Sequence, residues 1–175
     1  MDYDSLFSGL DAGSDVWVYI SHTPLTETQS KALIASLAEF SNGWSSHGRR
    51  VHAGYELVDA QMLVLGAWIE GGDISGCGID KSLHLIDGFA AEHGFSWADS
   101  LSVIYRDTAN SLHVVTRSEF RALVRNGSIS ANTVVVDSTI RVLSEIREGQ
   151  LEKPASESWH SMVFKIPQLT VIQAS

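Results

Sequence analysis

The pattern of apolar and polar positions predicts four strands in the first two thirds of the chain. Residues 16–20 and 61–69 are apolar runs rich in β-branched and aromatic side chains, which is typical of central strands. Residues 51–57 alternate apolar and polar side chains and predict a strand with one polar face. Residues 101–105 form a shorter apolar run and predict a fourth strand.

Two helices are predicted between these strands. Thr26 and Gln29 match a capping box, in which the cap and the third helical residue satisfy each other's backbone N–H. Apolar side chains then recur at helical spacing up to residue 44. A second helical pattern covers residues 79–90 and ends before Gly94.

The element order predicts an α+β protein with a ferredoxin-like core. Strand, helix, strand, strand, helix, strand is the split βαβ pattern, an antiparallel sheet in order 4-1-3-2 with both helices on one face. We expect residues 1–14 to be a lead-in and residues 15–116 to be the core, with an added strand at 112–116 paired to strand four. Residues 117–175 would then be a C-terminal α/β extension packed on the core.

The extension shows weaker patterns. Ser118 is suited to cap a short helix that ends near residue 124, residues 133–136 predict a strand, and residues 139–148 predict a helix. Residues 154–167 predict an irregular or strand-like segment, and the apolar pair at 171–172 suits a sheet edge or a frayed end.

Composition excludes several classes of protein. The chain has 175 residues, enough for one domain with a small appendage, and its net charge of −9 argues against nucleic acid or an anionic membrane as the main partner. One cysteine excludes an internal disulfide. No apolar run is long enough to insert in a membrane, and the acidic first residues lack the basic region of a secretory signal, so we expect a cytoplasmic protein.

The glycine-rich stretch at residues 71–82 is the best candidate site. It holds four glycines and the only cysteine within eight residues, between a predicted strand and a predicted helix. Glycine lets a ligand approach the backbone, and a helix start presents free N–H groups to an anion. In a ferredoxin-like fold this loop, the loop at 44–50 and the hairpin after strand four share one end. The residues predicted to bind a phosphate or carboxylate are Gly76, Gly78, Lys81, Ser82, Arg49, Arg50 and Arg106.

Cys77 supports a second hypothesis, a cysteine-dependent enzyme. A cysteine at a helix start can act as a nucleophile, with His47 as base and Asp80 as the orienting group. The structural alternatives are that Cys77 is a small apolar side chain under a tight loop and that Asp80 caps the helix. The seven histidines show no zinc-binding spacing, so we expect neither a metal nor another cofactor.

Three motifs carry a family resemblance that extends from residue 15 to residue 160. They are Trp44-x-x-His47-Gly48, Ser75-Gly76-Cys77-Gly78-Ile79-Asp80-Lys81-Ser82 and Ser158-Trp159-His160. In combination they resemble a family of short, uncharacterised bacterial proteins often labelled "ABC transporter ATPase". The label implies ATP hydrolysis. A Walker A motif has the pattern G-x-x-x-x-G-K-[ST]. If Lys81-Ser82 is aligned with its last two residues, Ser75 and Asp80 occupy the positions of the two glycines, so the motif is absent.

A second resemblance concerns the extension. Phe120-x-x-Leu123-Val124-x-x-Gly127-x-Ile129, followed by the valine run at 134–136, looks like small bacterial GYF-type modules, which implies protein or peptide binding. Together these patterns predict a non-enzymatic binding domain for a small anionic ligand or a protein partner. The open edge of a ferredoxin-like sheet allows a homodimer, and the alternative is that the C-terminal extension covers this edge. The alternatives are the cysteine-dependent enzyme and, disfavoured, an ABC-type ATPase.

Overall fold

The structure, a computed structural model, describes residues 3–167 and is a mixed α+β protein with antiparallel sheets. The strands in this range are β1 (Asp15–Ile20), β2 (Ser45–Ser46), β3 (Arg49–Arg50), β4 (His52–Val58), β5 (Met62–Trp68), β6 (Val103–Arg106), β7 (Leu112–Val115), β8 (Val134–Val136) and β9 (Glu152–Pro154). The α-helices are α1 (Glu27–Gly43), α2 (Gly76–Glu92), α3 (Arg117–Arg125), α4 (Leu143–Arg147) and α5 (Trp159–Phe164). Within residues 3–167, every helix is too short or too polar to traverse a lipid bilayer.

The chain folds into two compact units, and both are discontinuous in sequence. Residues 3–98 and 138–150 form the first unit, and residues 99–137 and 151–167 form the second. These boundaries differ from the divisions predicted after residues 14 and 116. The lead-in belongs to the first unit, and part of the predicted extension returns to that unit.

The first unit contains a three-stranded antiparallel sheet in the order β1-β5-β4. This order matches strands one to three of the prediction. The predicted fourth strand is not in this sheet, because residues 103–106 pair as β6 in the second unit. Beside β1 there are instead two isolated bridges, one between Ser21 and Trp97 and one between Asp15 and Val142. Residues 96–98 do not extend into a longer strand, because Asp99 Oδ1 accepts the Leu101 N–H at 2.9 Å and turns the chain.

Both faces of the β1-β5-β4 sheet are covered. Leu33 and Leu37 of α1 and Ile86 of α2 pack against alternate residues of β5 in one apolar cluster. The other face carries the lead-in, where the ring of Phe7 lies against the paired glycines Gly54 and Gly66. The predicted capping box at the start of α1 is confirmed by the reciprocal bonds between Thr26 and Gln29.

The segment that returns to the first unit holds the lead-in in place. The Arg147 guanidinium donates to the carbonyl oxygens of Leu6, Phe7 and Leu10 at distances of 3.0, 2.7 and 3.2 Å. Arg147 lies in α4, which covers only the second half of the helix predicted at 139–148. One side chain thus satisfies three carbonyl groups of a segment that has little regular structure of its own.

The second unit is built on a four-stranded antiparallel sheet in the order β7-β6-β8-β9. The hairpin of β6 and β7 confirms the predicted pairing of residues 101–105 with 112–116. Helix α3 begins earlier than predicted, because Thr116 rather than Ser118 is its cap and forms a capping box with Glu119. Phe120 of α3 packs against Phe164 in the core. Helix α5 lies in the stretch predicted to be irregular or strand-like, so that prediction is wrong there. The predicted edge at 171–172 lies outside the described residues.

Candidate functional site

Two loops meet at the start of α2 through a pair of serines. The Ser75 N–H donates to Ser46 Oγ at 2.9 Å, and the Ser46 hydroxyl donates to Ser75 Oγ at 2.8 Å. Ser75 Oγ also accepts the Gly78 N–H at 3.2 Å, so Ser75 is the helix cap. Asp80, the predicted cap, lies one turn into α2 instead. The reason is that an extended Ser75, at φ −63° and ψ 155°, already supplies the cap oxygen.

The predicted meeting of the two loops is therefore present within the first unit. Trp44 Nε1 adds a bond to the Gly78 carbonyl oxygen at 2.9 Å, and Trp44 is buried. Gly78 is a packing residue, because a Cβ there would lie 2.9 Å from Ile74 Cγ2 and 3.2 Å from Ser46 Cβ. The glycine thus permits the approach of the loop that carries Ser46, and Gly78 itself is buried.

Arg49 binds the loop that precedes α2. Its Nη1 donates to the carbonyl oxygens of Glu70 and Gly71 at 2.8 and 3.2 Å. Gly71 has φ +70°, a conformation that favours glycine, so this residue provides the turn. The Arg49 side chain is exposed and keeps further N–H donors on its guanidinium.

The first turn of α2 presents two exposed backbone donors. Gly76 and Cys77 are exposed, and among residues 3–167 no hydrogen bond from either N–H is present. The first turn carries no acidic side chain, so the partial positive charge of the helix start is not offset there. A Cβ at Gly76 would meet nothing within 4 Å, which shows that the surface is open. This corner can accept an anion from solvent.

The three residues of the predicted cysteine site are all exposed, and the described chain shows no hydrogen bonds between them. The Cys77 side chain is exposed, so it is not the buried apolar residue of the structural alternative. His47 is exposed at the tip of the hairpin formed by β2 and β3, with φ +50°. Asp80 is exposed on the second turn of α2. Within the described chain, no hydrogen bond joins Cys77, His47 and Asp80.

Two further predicted ligand residues lie beyond the first turn of α2. Lys81 is exposed, whereas Ser82 is buried and its hydroxyl donates to the Ile79 carbonyl oxygen at 2.7 Å. Ser82 is thus committed to the helix backbone. Lys81 remains available to a ligand.

Arg50 lines a cavity of about 560 Å³ beside β4. Ser41, Asn42 and His52 share this cavity, and the Ser41 hydroxyl is buried and makes no hydrogen bond within residues 3–167. Sequence reasoning missed this cavity. It depends on the packing of the lead-in and α1 around an edge strand, and no local pattern signals that packing.

Arg106 has a structural role in the second unit. Its Nε lies 2.7 Å from Glu152 Oε1, and the two side chains are only 6% and 11% exposed. Its Nη1 donates to the Asn110 carbonyl oxygen at 2.8 Å. The guanidinium charge is therefore neutralised inside the second unit.

The described residues contain no cluster of three or more His, Cys, Asp or Glu side chains that could hold a metal ion. Comparison with models of known protein families, with curated proteins and with solved structures finds no match.

Proposed function

We propose that the protein is a non-enzymatic binding protein whose first unit holds a small anionic group at the start of α2. The observation that carries this proposal is the pair of open N–H groups on Gly76 and Cys77. The bonds of Ser46, Ser75 and Trp44 hold these donors in a fixed frame. Preorganised N–H groups at a helix start favour phosphate or carboxylate. Arg49 and Lys81 supply cationic charge from neighbouring positions.

The same geometry argues against ATP hydrolysis. In a P-loop the lysine and the following serine or threonine begin the helix, and the hydroxyl binds magnesium. Here Lys81 and Ser82 lie after the first turn of α2, and the Ser82 hydroxyl is bonded to Ile79. The ABC-type ATPase suggested by the family resemblance is therefore the least favoured function.

The test is an amide chemical-shift titration of the ¹⁵N-labelled protein with inorganic phosphate, with sodium chloride at matched ionic strength as the reference. We expect saturable shifts at Gly76 and Cys77. Gly76→Pro removes one donor yet suits the first position of a helix after an extended residue, so binding should weaken while the fold stays intact. Cys77→Ala keeps both N–H groups and should bind as the parent does. Absence of saturation, or unchanged affinity of Gly76→Pro, would contradict the proposal.

A cysteine-dependent enzyme is the second candidate, favoured by the exposed thiol of Cys77 in the first turn of α2. The measurement is the rate of iodoacetamide labelling at neutral pH in the native protein. If His47 and Asp80 assist the thiol, then His47→Ala and Asp80→Ala slow the reaction. Equal rates in all three proteins would exclude the triad while leaving the anion site untouched.

We infer that the first unit is a reduced ferredoxin-like layout, in which residues 96–98 stand where the fourth strand would lie. Its support is the bond from the Ala98 N–H to the Ile20 carbonyl oxygen at 2.7 Å, on the outer side of β1.

We also propose a cytoplasmic location for the protein. An exposed lone cysteine suits a reducing compartment, which supports this location. Immunofluorescence or fractionation of the tagged chain tests that location.

A further inference from the structure

The large exposed apolar side chains of the described residues all belong to the second unit. They are Leu101, Trp159, Met162 and Val163, with exposed fractions of 63%, 37%, 81% and 42%. Trp159, Met162 and Val163 follow i, i+3, i+4 spacing on α5, so they share one face of that helix. A group of exposed apolar side chains is typical of a site of interaction. We name these three residues the α5 face.

Arginines of α3 lie beside the last residue of α5. The guanidinium groups of Arg117 and Arg121 lie 5.8 and 5.4 Å from the ring centre of Phe164, the last residue of α5. Arg125 follows at the same four-residue spacing, so the three arginines form a stripe along α3. Glu119 lies on another side of α3, and its carboxylate accepts hydrogen bonds from Thr116. The stripe therefore keeps its positive charge.

A small cavity lies beside the same two arginines. It has a volume of about 420 Å³ and is lined by Leu101, Arg117, Ser118 and Arg121 among others. Asp99 also lines it, and its Oδ1 accepts the backbone N–H of Leu101 and the hydroxyl of Ser102, so two guanidinium groups and one carboxylate leave the lining positive. The cavity thus combines an exposed leucine with two guanidinium groups. This lining suits a ligand in which an apolar side chain lies next to a carboxylate.

We propose that the α5 face and the arginine stripe of α3 bind a segment of another polypeptide that carries both acidic and large apolar side chains. Tryptophan and arginine are the residue types that most often dominate binding energy at such interfaces. The carboxylates of the partner would pair with Arg117 and Arg121, where the planar guanidinium allows two parallel hydrogen bonds. Its apolar side chains would cover Met162, Trp159 and Val163.

Charge decides between this partner and other occupants. A chain of net charge −9 is repelled by an extended polyanion, so a nucleic acid or an anionic bilayer is disfavoured. A short acidic segment interacts mainly with the nearby arginines. The other charges of the chain are screened, because the Debye length is about 8 Å at physiological salt. A second copy bound through a twofold axis would place the same arginine stripe on both sides of the contact.

The test is fluorescence anisotropy of the full chain with a short labelled peptide that combines Glu with Leu and Phe. The reference is the same peptide with Lys in place of each Glu. We expect the acidic peptide to bind at least about tenfold more tightly, with an affinity that falls as salt is added. Met162→Glu and Arg121→Glu should each weaken it at least about tenfold. Both side chains are exposed, so the fold is kept, which circular dichroism checks.

Lys31→Glu is the matched control, because it makes the same charge change on an exposed side chain of α1 in the first unit. It should leave peptide affinity unchanged. Equal binding of both peptides, or equal weakening by Lys31→Glu and Arg121→Glu, would overturn the proposal. Tighter binding to phosphatidylserine vesicles than to the peptide would assign the surface to a membrane. A dimer in light scattering that Met162→Glu dissociates would assign it to a second copy.

Discussion

The two units place their buried polar groups in opposite ways. In the first unit, neutral groups bond to each other at the edge of the interior, and the pair Ser46 and Ser75 fixes a corner whose N–H donors face solvent. In the second unit, ionisable groups lie inside, with Arg106 bound to Glu152 and a buried His160 bound to Ser158 at 2.7 Å. The bonds of Ser46 and Ser75 therefore position groups at a polar surface, whereas the bonds of Arg106 and His160 connect groups within the interior.

The surfaces differ accordingly. Among the described residues of the first unit there is no large exposed apolar side chain, and its candidate site uses backbone donors and cations. The second unit exposes the α5 face beside the arginine stripe. The comparison suggests two binding modes in one chain, and the two interiors should respond differently to charge removal and to pH.

The largest expected effect is on the buried ion pair. Arg106→Met removes the guanidinium that neutralises Glu152 in a nearly solvent-free position, and breaking such a pair costs about 3–5 kcal/mol. The free energy of unfolding from urea denaturation measures this loss. Hydrogen exchange followed by mass spectrometry should place the loss in peptides of the second unit.

The first unit provides the control for this prediction. Lys31 and Glu27 form an ion pair in α1 with side chains 76% and 83% exposed, so Lys31→Met should cost less than about 0.5 kcal/mol. The double change Arg106→Met with Glu152→Leu removes both buried charges and should recover most of the stability. If Arg106→Met and Lys31→Met proved equally mild, the contrast between the two interiors would be wrong.

The ion pair also shows why part of the fold could not be predicted from the sequence. Arg106 and Glu152 are 46 residues apart, and no local pattern marks them as partners. The convergence of the loop at 44–50 with the glycine stretch was predictable, because alternating strand directions place both at one end of the sheet. The cap at Ser75 was not, since glycines on either side of it interrupt the helical periodicity.

The return of residues 138–150 to the first unit could not be predicted from the sequence either. Arg147 binds three carbonyl groups of the lead-in, although about 140 residues separate them in sequence. Helix α5 was missed because Ser158-Trp159-His160 has no helical periodicity before it, and the helix is only six residues long. Its exposed apolar face therefore became visible only in three dimensions.

The second prediction uses pH to separate the two interiors. Burial lowers the pKa of His160 from 6.5 to about 4, whereas an unfolded histidine keeps its ordinary pKa. The unfolded chain therefore binds a proton between these values, and stability falls as the pH drops from about 6.5 to about 4. The loss attributable to His160 is at most about 3 kcal/mol. Denaturation at several pH values, with hydrogen exchange in each unit, measures it.

His160→Gln should flatten this pH dependence, because glutamine does not titrate and can still hydrogen-bond Ser158. The matched control is His113→Gln in the same unit, where the ring is 42% exposed and bonded to Asp107 at 2.8 Å. That control should keep the acid sensitivity of the parent protein. A pH dependence that survives His160→Gln unchanged would show that another group causes it.

The smallest expected effects concern two glycines of the first unit and test whether the lead-in is part of its core. Gly54→Ala places a Cβ 2.6 Å from Phe7 Cδ1 and 2.7 Å from Phe7 Cγ, so the ring must shift, at a cost of about 1–3 kcal/mol. Gly88→Ala, in α2, meets nothing within 4 Å and should stabilise the protein by about 0.5–1 kcal/mol. Thermal and urea unfolding distinguish the two signs.

The coupling between Gly54 and Phe7 makes this last prediction specific. In a Phe7→Ala background the ring is gone, so Gly54→Ala should cost less than about 0.5 kcal/mol, and the difference between the two backgrounds is the interaction energy. Hydrogen exchange in the second unit should not change in either variant. If Gly54→Ala costs as much without the Phe7 ring as with it, the lead-in does not pack on the sheet in solution. One face of the first unit's sheet would then be closed by fewer contacts than the structure shows.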